Sequence, residues 1–177
     1  MSIQIVEKIV EIPDKIKLTL DGRKVTVQGP KGEITKDFTH TKLSMVKEGN
    51  SLKLSTENPR RTEAALVGTI SAHVNNMIKG VTTGFVYKMK IVFVHFPTSV
   101  KVIDKEVYIE NFVGERKPRV ASIIGDTKVT IKQDDVIIEG IDIDYVSQTA
   151  ANIQTRAKIR KKDLRKFLDG IYVYSKE

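Results

Sequence analysis

The chain has 177 residues, with 30 Lys+Arg against 22 Asp+Glu, three His, no Cys and no Trp. That length holds one ordinary domain or two small ones, and 40% apolar with 29% charged residues excludes wholesale disorder. The missing Cys removes disulfides, zinc ribbons, Fe–S clusters and thiol nucleophiles and fits a reducing compartment, while a net charge of +8 makes polyanions the leading partner class.

Met1–Lys8 lacks a basic segment followed by a long apolar stretch, so no signal peptide is expected. Apolar runs such as Ile91-Val92-Phe93-Val94 reach only four residues and fall far short of the ~20 that span a bilayer. The expectation is a soluble cytoplasmic protein with no membrane partner. Strand signals open the chain. Lys15–Leu20 and Lys24–Gln28 alternate around the turn Asp21-Gly22-Arg23. Gly29-Pro30-Lys31-Gly32 reads as a second hairpin turn, since no helix start follows to hold a phosphate. Strands at Glu33–Phe38, Leu43–Val46 and Ser51–Ser55 follow. The period then changes: Leu66, Val67, Ile70, Val74, Met77 and Ile78 predict a helix over about Pro59–Lys79, with Asn58 as N-cap and Gly80 as its end.

The second half repeats the plan. Val100–Asp104, Glu106–Asn111, Val129–Ile131 and Val136–Glu139 read as strands, and Val146, Thr149, Ala150, Ile153 and Ala157 mark one face of a helix opened by Asp144. Val25-x-Val27-x₄-Gly32-Glu33 matches Val107-x-Ile109-x₄-Gly114-Glu115 at an offset of 82, and Ala64-Ala65 matches Ala150-Ala151 at 86. These matches predict an α+β protein of two tandem similar domains, 1–82 and 83–177, related by internal duplication. Each domain has an antiparallel-rich sheet packed by one main helix, and Gly80–Gly84 forms a short hinge between them.

Charge is distributed unevenly in the second half. Gln133–Tyr145 holds five acids and no base, whereas Arg156–Lys166 holds seven bases against the single acid Asp163. Held apart in sequence, the acids do not neutralise the bases at helical spacing, which favours a polyanion site over a merely solvated face. The candidate binding residues there are Arg156, Lys158, Arg160, Lys161, Lys162, Arg165 and Lys166. Leu164, Phe167 and Leu168 are expected to pin a short helix to the core, holding Arg165 and Lys166 outward, before a last strand at Ile171–Tyr174. A second candidate is the Gly/Pro-bounded loop Gly114–Arg119, in which Arg116, Lys117 and Arg119 form a compact basic prong, the two arginines forking onto phosphate oxygens. A third is the outward strip of the first helix, where small residues lie between Arg61 and Lys79; close packing on the other domain explains the small residues equally well.

No enzymatic constellation is visible. His40, His73 and His95 are scattered without ligand spacing, Asp134 and Asp135 point to opposite faces of a strand, and neither nucleotide-binding glycine motif occurs. No catalytic residue, metal, cofactor or small-molecule substrate is expected. Aromatic residues make up only 6%, and no strand shows paired exposed aromatics for stacking bases, so recognition through the RNA backbone and groove shape is expected.

One stretch adds a family resemblance. Lys162-Asp163-Leu164-Arg165-Lys166-Phe167-Leu168-Asp169-Gly170-Ile171-Tyr172-Val173 resembles the C-terminal signature of the universal large-subunit ribosomal protein six family, in its eukaryotic branch, where the protein is numbered nine. Val25–Gly32, Val67–Ile70, His73–Phe85, Asn111–Glu115 and Val146–Ala151 match in order along nearly the whole chain. The resemblance implies two duplicated α+β domains and a structural role on the large ribosomal subunit. It further implies binding to large-subunit rRNA near the sarcin–ricin loop and the stalk base, mainly through the second domain. Neighbouring large-subunit proteins would be partners, and translation factors would pass nearby. Within the loop, Val113 replaces the usual Leu, Pro118 intrudes, and the basic cluster is thinner than in relatives. The alternative is a tandem-domain protein-interaction adapter without RNA, docking through the acidic 133–145 and basic 156–166 patches.

Overall fold

The computed structural model describes residues 5–160 and 162–177; the candidate residue Lys161 lies outside them. The chain divides into two compact units, Met1–Gly84 and Phe85–Glu177. In the first, β1 (Ile5–Glu11), β6 (Ser51–Glu57) and β5 (Ser44–Glu48) form one antiparallel sheet. A second is made by β2 (Lys17–Asp21), β3 (Lys24–Gly29) and β4 (Gly32–Asp37). The strand pattern is the period-2 alternation seen in the sequence: Leu18, Val25, Val27 and Ile34 are buried while Lys17, Thr19, Lys24 and Gln28 face water. Helix α1 (Arg61–Thr82) covers the inner face with Val67, Ile70, Val74, Met77 and Val81.

The second unit has β7 (Phe85–Val92), β8 (Ser99–Ile103), β9 (Glu106–Glu110), β10 (Arg119–Ser122), β11 (Lys128–Lys132), β12 (Asp135–Gly140), α2 (Ile143–Arg156) and β13 (Gly170–Lys176). Its sheets run β8-β9-β10 and β11-β12-β7-β13, again antiparallel throughout. Removing β13 leaves the topology of the first unit: β1-β6-β5 corresponds to β7-β12-β11, and β2-β3-β4 to β8-β9-β10. The buried helix faces also correspond. Val67, Ile70, Ser71 and Val74 of α1 recur 79 residues on as Val146, Thr149, Ala150 and Ile153 of α2. The expected pairing of Ala64-Ala65 with Ala150-Ala151 is therefore two helical turns out of register. Small residues alone carried it, whereas burial sets the true frame.

Other expectations are corrected by backbone chemistry. The N-cap of α1 is Arg60, not Asn58; the Arg60 N–H donates to the Glu63 carboxylate at 2.9 Å. Gly80 is a buried residue within the helix, so Gly80–Thr82 is helical and not a hinge. The helix stops at Gly84, which has φ +75° and donates its N–H to Lys79 O. Helix α2 begins at Ile143 and is capped by Asp142, whose carboxylate accepts from the Asp144 N–H. Strands β1, β7 and β10 lay outside the predicted elements. Strand β7 is central in its sheet, with Phe85, Tyr87, Met89 and Ile91 buried, and its alternation with Lys88 and Lys90 was there to be read.

A helix end exposes carbonyls that need donors, and both units meet this from the segment that follows their middle strand. In the first, the Lys31 backbone N–H donates to Val81 O at 3.0 Å, and the Lys31 ammonium donates to Thr83 O. Gly29 permits the approach, since a Cβ there would stand 2.7 Å from Val81 Cγ2 and 2.9 Å from Val81 O. In the second unit an arginine does this work.

Candidate nucleic-acid interface

Arg119 begins β10 opposite Ile109, at the row position that Ile34 occupies opposite Val27 in the first unit. An apolar edge position has become a cation. Its Nη1 donates to Arg156 O at 2.8 Å and Lys158 O at 2.9 Å, and Nε and Nη2 bind the two Glu115 oxygens at 2.8 and 2.6 Å. The guanidinium carbon lies 4.4 Å from the Phe112 ring centroid. Four of its N–H groups are thus directed at protein acceptors, and Arg119 is a keystone in the fold, not a prong reaching for phosphate. The expected loop is shorter than drawn, because Phe112–Gly114 is a 3-10 turn and Arg119 belongs to a strand. Arg116 and Lys117 stand exposed on what remains.

This keystone shapes the electrostatics. The C-terminal end of α2 carries the negative end of the helix dipole, which would repel a polyanion. Arg119 covers that end. Beyond it the chain alternates, with Ala157 and Ile159 buried and Arg156, Lys158 and Arg160 exposed. Arg119, Arg156 and Arg160 line one cleft of about 440 Å³ with Pro118, Val120 and Thr155. The Arg119 guanidinium also holds the Glu115 carboxyl below the ordinary glutamate range, despite the opposing effect of burial. Glu115 therefore stays ionised, locked to Arg119.

The remaining bases follow on a turn, not on the expected helix. The one acid of the basic window, Asp163, organises this turn: its carboxylate accepts from the Arg165 N–H, and its backbone carbonyl accepts from the N–H groups of Lys166 and Phe167. Leu164 and Leu168 do not anchor it, being 59% and 55% exposed. Phe167 does, stacking on His95 at 4.6 Å between centroids, with the Lys162 ammonium 4.5 Å above its ring. Beside them Asp169 is fully buried; its Oδ1 accepts from the Val94 N–H at 3.0 Å, and Oδ2 lies 3.6 Å from His95 Nδ1. Burial pushes the Asp169 carboxyl up, but backbone N–H donors, Val94 first among them, more than offset this and hold it below the ordinary range. Lys162, Arg165 and Lys166 are exposed as expected.

Arg61 and Lys79 sit in the other unit, exposed near opposite ends of the outward strip of α1. Eighteen residues separate them, or roughly 27 Å along the axis, so they form no local cluster. Ala65, Ala72 and Asn75 between them are exposed too. The expectation that no strand carries paired exposed aromatics is corrected: Tyr172 and Tyr174 of β13 are 45% and 58% exposed. Among the described residues no group of three or more His, Asp or Glu is placed to hold a metal ion, and no helix is long and apolar enough to cross a membrane.

Comparison with known proteins identifies relatives of this chain by sequence. The family model described as ribosomal protein L6 matches twice, over residues 12–84 and 96–170, once in each unit. Large ribosomal subunit protein uL6 of Aeropyrum pernix is 46% identical over 176 residues, covering 99% of this chain and 96% of that one. The uL6 proteins of Staphylothermus marinus (48% identical; 93% and 91% covered) and Saccharolobus solfataricus (43%; 100% and 98%) are similar along their length. These relatives are archaeal, so the expected placement in the eukaryotic branch is not upheld.

Proposed function

The chain belongs to the ribosomal protein L6 family, and from that premise we propose that it is a non-catalytic constituent of the large ribosomal subunit in the cytoplasm. It binds large-subunit rRNA near the sarcin–ricin loop and stalk base, among neighbouring large-subunit proteins and close to where translation factors act. The observation that carries this reading is the basic face of the second unit. Arg156, Lys158, Arg160, Lys162, Arg165 and Lys166 are all exposed on a backing of buried Ala157 and Ile159 and half-buried Phe167. The helix dipole that would oppose an anion there is covered by Arg119. Arg116 and Lys117 extend the same charge.

Two measurements test the reading. The full chain should co-sediment with large subunits after a moderate salt wash; a chain that stays at the top of the gradient is an adapter, not a ribosomal constituent. Its affinity for deproteinised large-subunit rRNA should fall steeply with salt, by roughly 0.7–0.9 in the log–log slope for each phosphate contacted. Replacing Arg160, Lys161, Lys162, Arg165 and Lys166 together by Gln should flatten that slope. An unchanged slope would remove this face from the interface.

A further inference from the structure

We infer that the second unit has a built site for one unpaired nucleotide, with a basic cleft for its phosphate and an adjoining apolar cleft for its base. The inference rests on the RNA-binding reading above and adds a mode of contact that the low aromatic content did not suggest.

A second cleft, of about 420 Å³, adjoins the Arg156–Arg160 cleft at the C-terminal turn of α2, where the two share Thr155 in their walls. Its volume falls within the ~300–1,000 Å³ of small-ligand sites. The side walls are Leu164 and Tyr172, the floor includes buried Ala157 and Ile159, and Gln154 and Lys158 stand at the rim. Both wall residues remain about half exposed, although the core is adjacent. Neither is loose. Asp163 orders the turn that carries Leu164. The Tyr172 ring lies over Gly170, where a Cβ would come within 2.6 Å of its Cζ and Oη, and the hydroxyl donates to Leu168 O at 3.3 Å.

The occupant follows from the two clefts together. An apolar slot with an aromatic wall and an amide at its rim suits a flat, hydrogen-bonding ring. The neighbouring cleft, with Arg156 and Arg160 and the shared wall at Thr155, suits an anion. A nucleotide carries both parts joined in one molecule, whereas an apolar peptide side chain leaves the arginine cleft unused.

The test is an amide NMR titration of the full chain with adenosine and uridine 5′-monophosphates, against ribose 5-phosphate. The nucleotides should shift Ala151, Gln154, Leu164 and Tyr172 in addition to Thr155, Arg156 and Arg160; ribose 5-phosphate should shift only the latter group. Base stacking is worth about 1–3 kcal/mol, so Tyr172→Ala should weaken adenosine monophosphate at least about fivefold and leave ribose 5-phosphate unchanged. Leu164→Gln, on an exposed turn, should act in the same direction. Identical shifts from all three ligands, or an unaltered nucleotide affinity in both variants, would overturn the inference, as would filling of the slot by an acidic peptide in preference to a nucleotide. Co-sedimentation keeps the two claims separate: a chain that joins the subunit with a base-blind cleft refutes only the nucleotide site, while a nucleotide-binding chain that never joins it refutes the ribosomal reading.

Discussion

Arg119 should destabilise the second unit when changed while leaving the salt dependence of RNA binding intact, the opposite of what a phosphate-gripping prong would do. Its side chain is about one-quarter exposed and donates twice to carbonyls at the end of α2 and twice to Glu115. A hydrogen bond from a charged donor contributes about 1.5–3 kcal/mol when well shielded. At this exposure about 1 kcal/mol for each carbonyl bond is reasonable, and the half-exposed Glu115 pair adds about 0.5–1. Stacking on Phe112 contributes roughly another 0.5–1. Arg119→Met keeps the aliphatic stem over Phe112 and should cost about 2.5–3 kcal/mol, and Arg119→Ala about 3–4. The assay is provided by the sequence: all five tyrosines lie at or beyond Tyr87 and there is no tryptophan, so tyrosine fluorescence during urea or thermal unfolding reports the second unit. At about 4–8 °C per kcal/mol for a unit of this size, Arg119→Met should lower its midpoint by roughly 10–24 °C. The reasoning fails if Arg119→Met unfolds within about 2 °C of the parent chain while its rRNA salt slope falls by about one contact.

Further outcomes follow from the same geometry. Because the folded-state pKa of Glu115 is depressed by Arg119, its contribution is fully present above the ordinary glutamate range and is lost as pH falls through the depressed value; Glu115→Gln should remove that part of the acid sensitivity in a tyrosine-monitored pH titration. Gly29→Ala should cost about 2 kcal/mol or more, because the added methyl meets backbone at Val81 O, and the loss should be seen by circular dichroism of α1 with the tyrosine transition unmoved. Ile153→Ala, fully buried in α2, should cost about 2–5 kcal/mol. Leu164→Ala, 59% exposed, should fall within about 0.5 kcal/mol in the same tyrosine-monitored unfolding curves; a large effect there would restore Leu164 as a core anchor.

Local periodicity made much of the molecule legible in advance. The alternation of Leu18, Val25, Val27 and Ile34, the three-to-four spacing of Val67, Ile70 and Val74, and the recurrence of Val25 and Val27 as Val107 and Ile109 each reflect one buried face, which a sequence records directly. From these came the two α+β units and the duplication. The concentration of bases between Arg156 and Lys166 was equally plain, since charge is a property of residues and not of their arrangement. What the chain could not display is which polar groups turn inward to one another. Arg119 has the same composition whether it grips phosphate or caps a helix 37 residues away, and only the meeting of β10 with the end of α2 decides the matter. Leu164 and Tyr172 read as an anchor and a strand residue until the turn at Asp163 and the ring over Gly170 leave both facing an open cleft. Burial at short range is written in the sequence; partners at long range are set only when the strands and helices have packed.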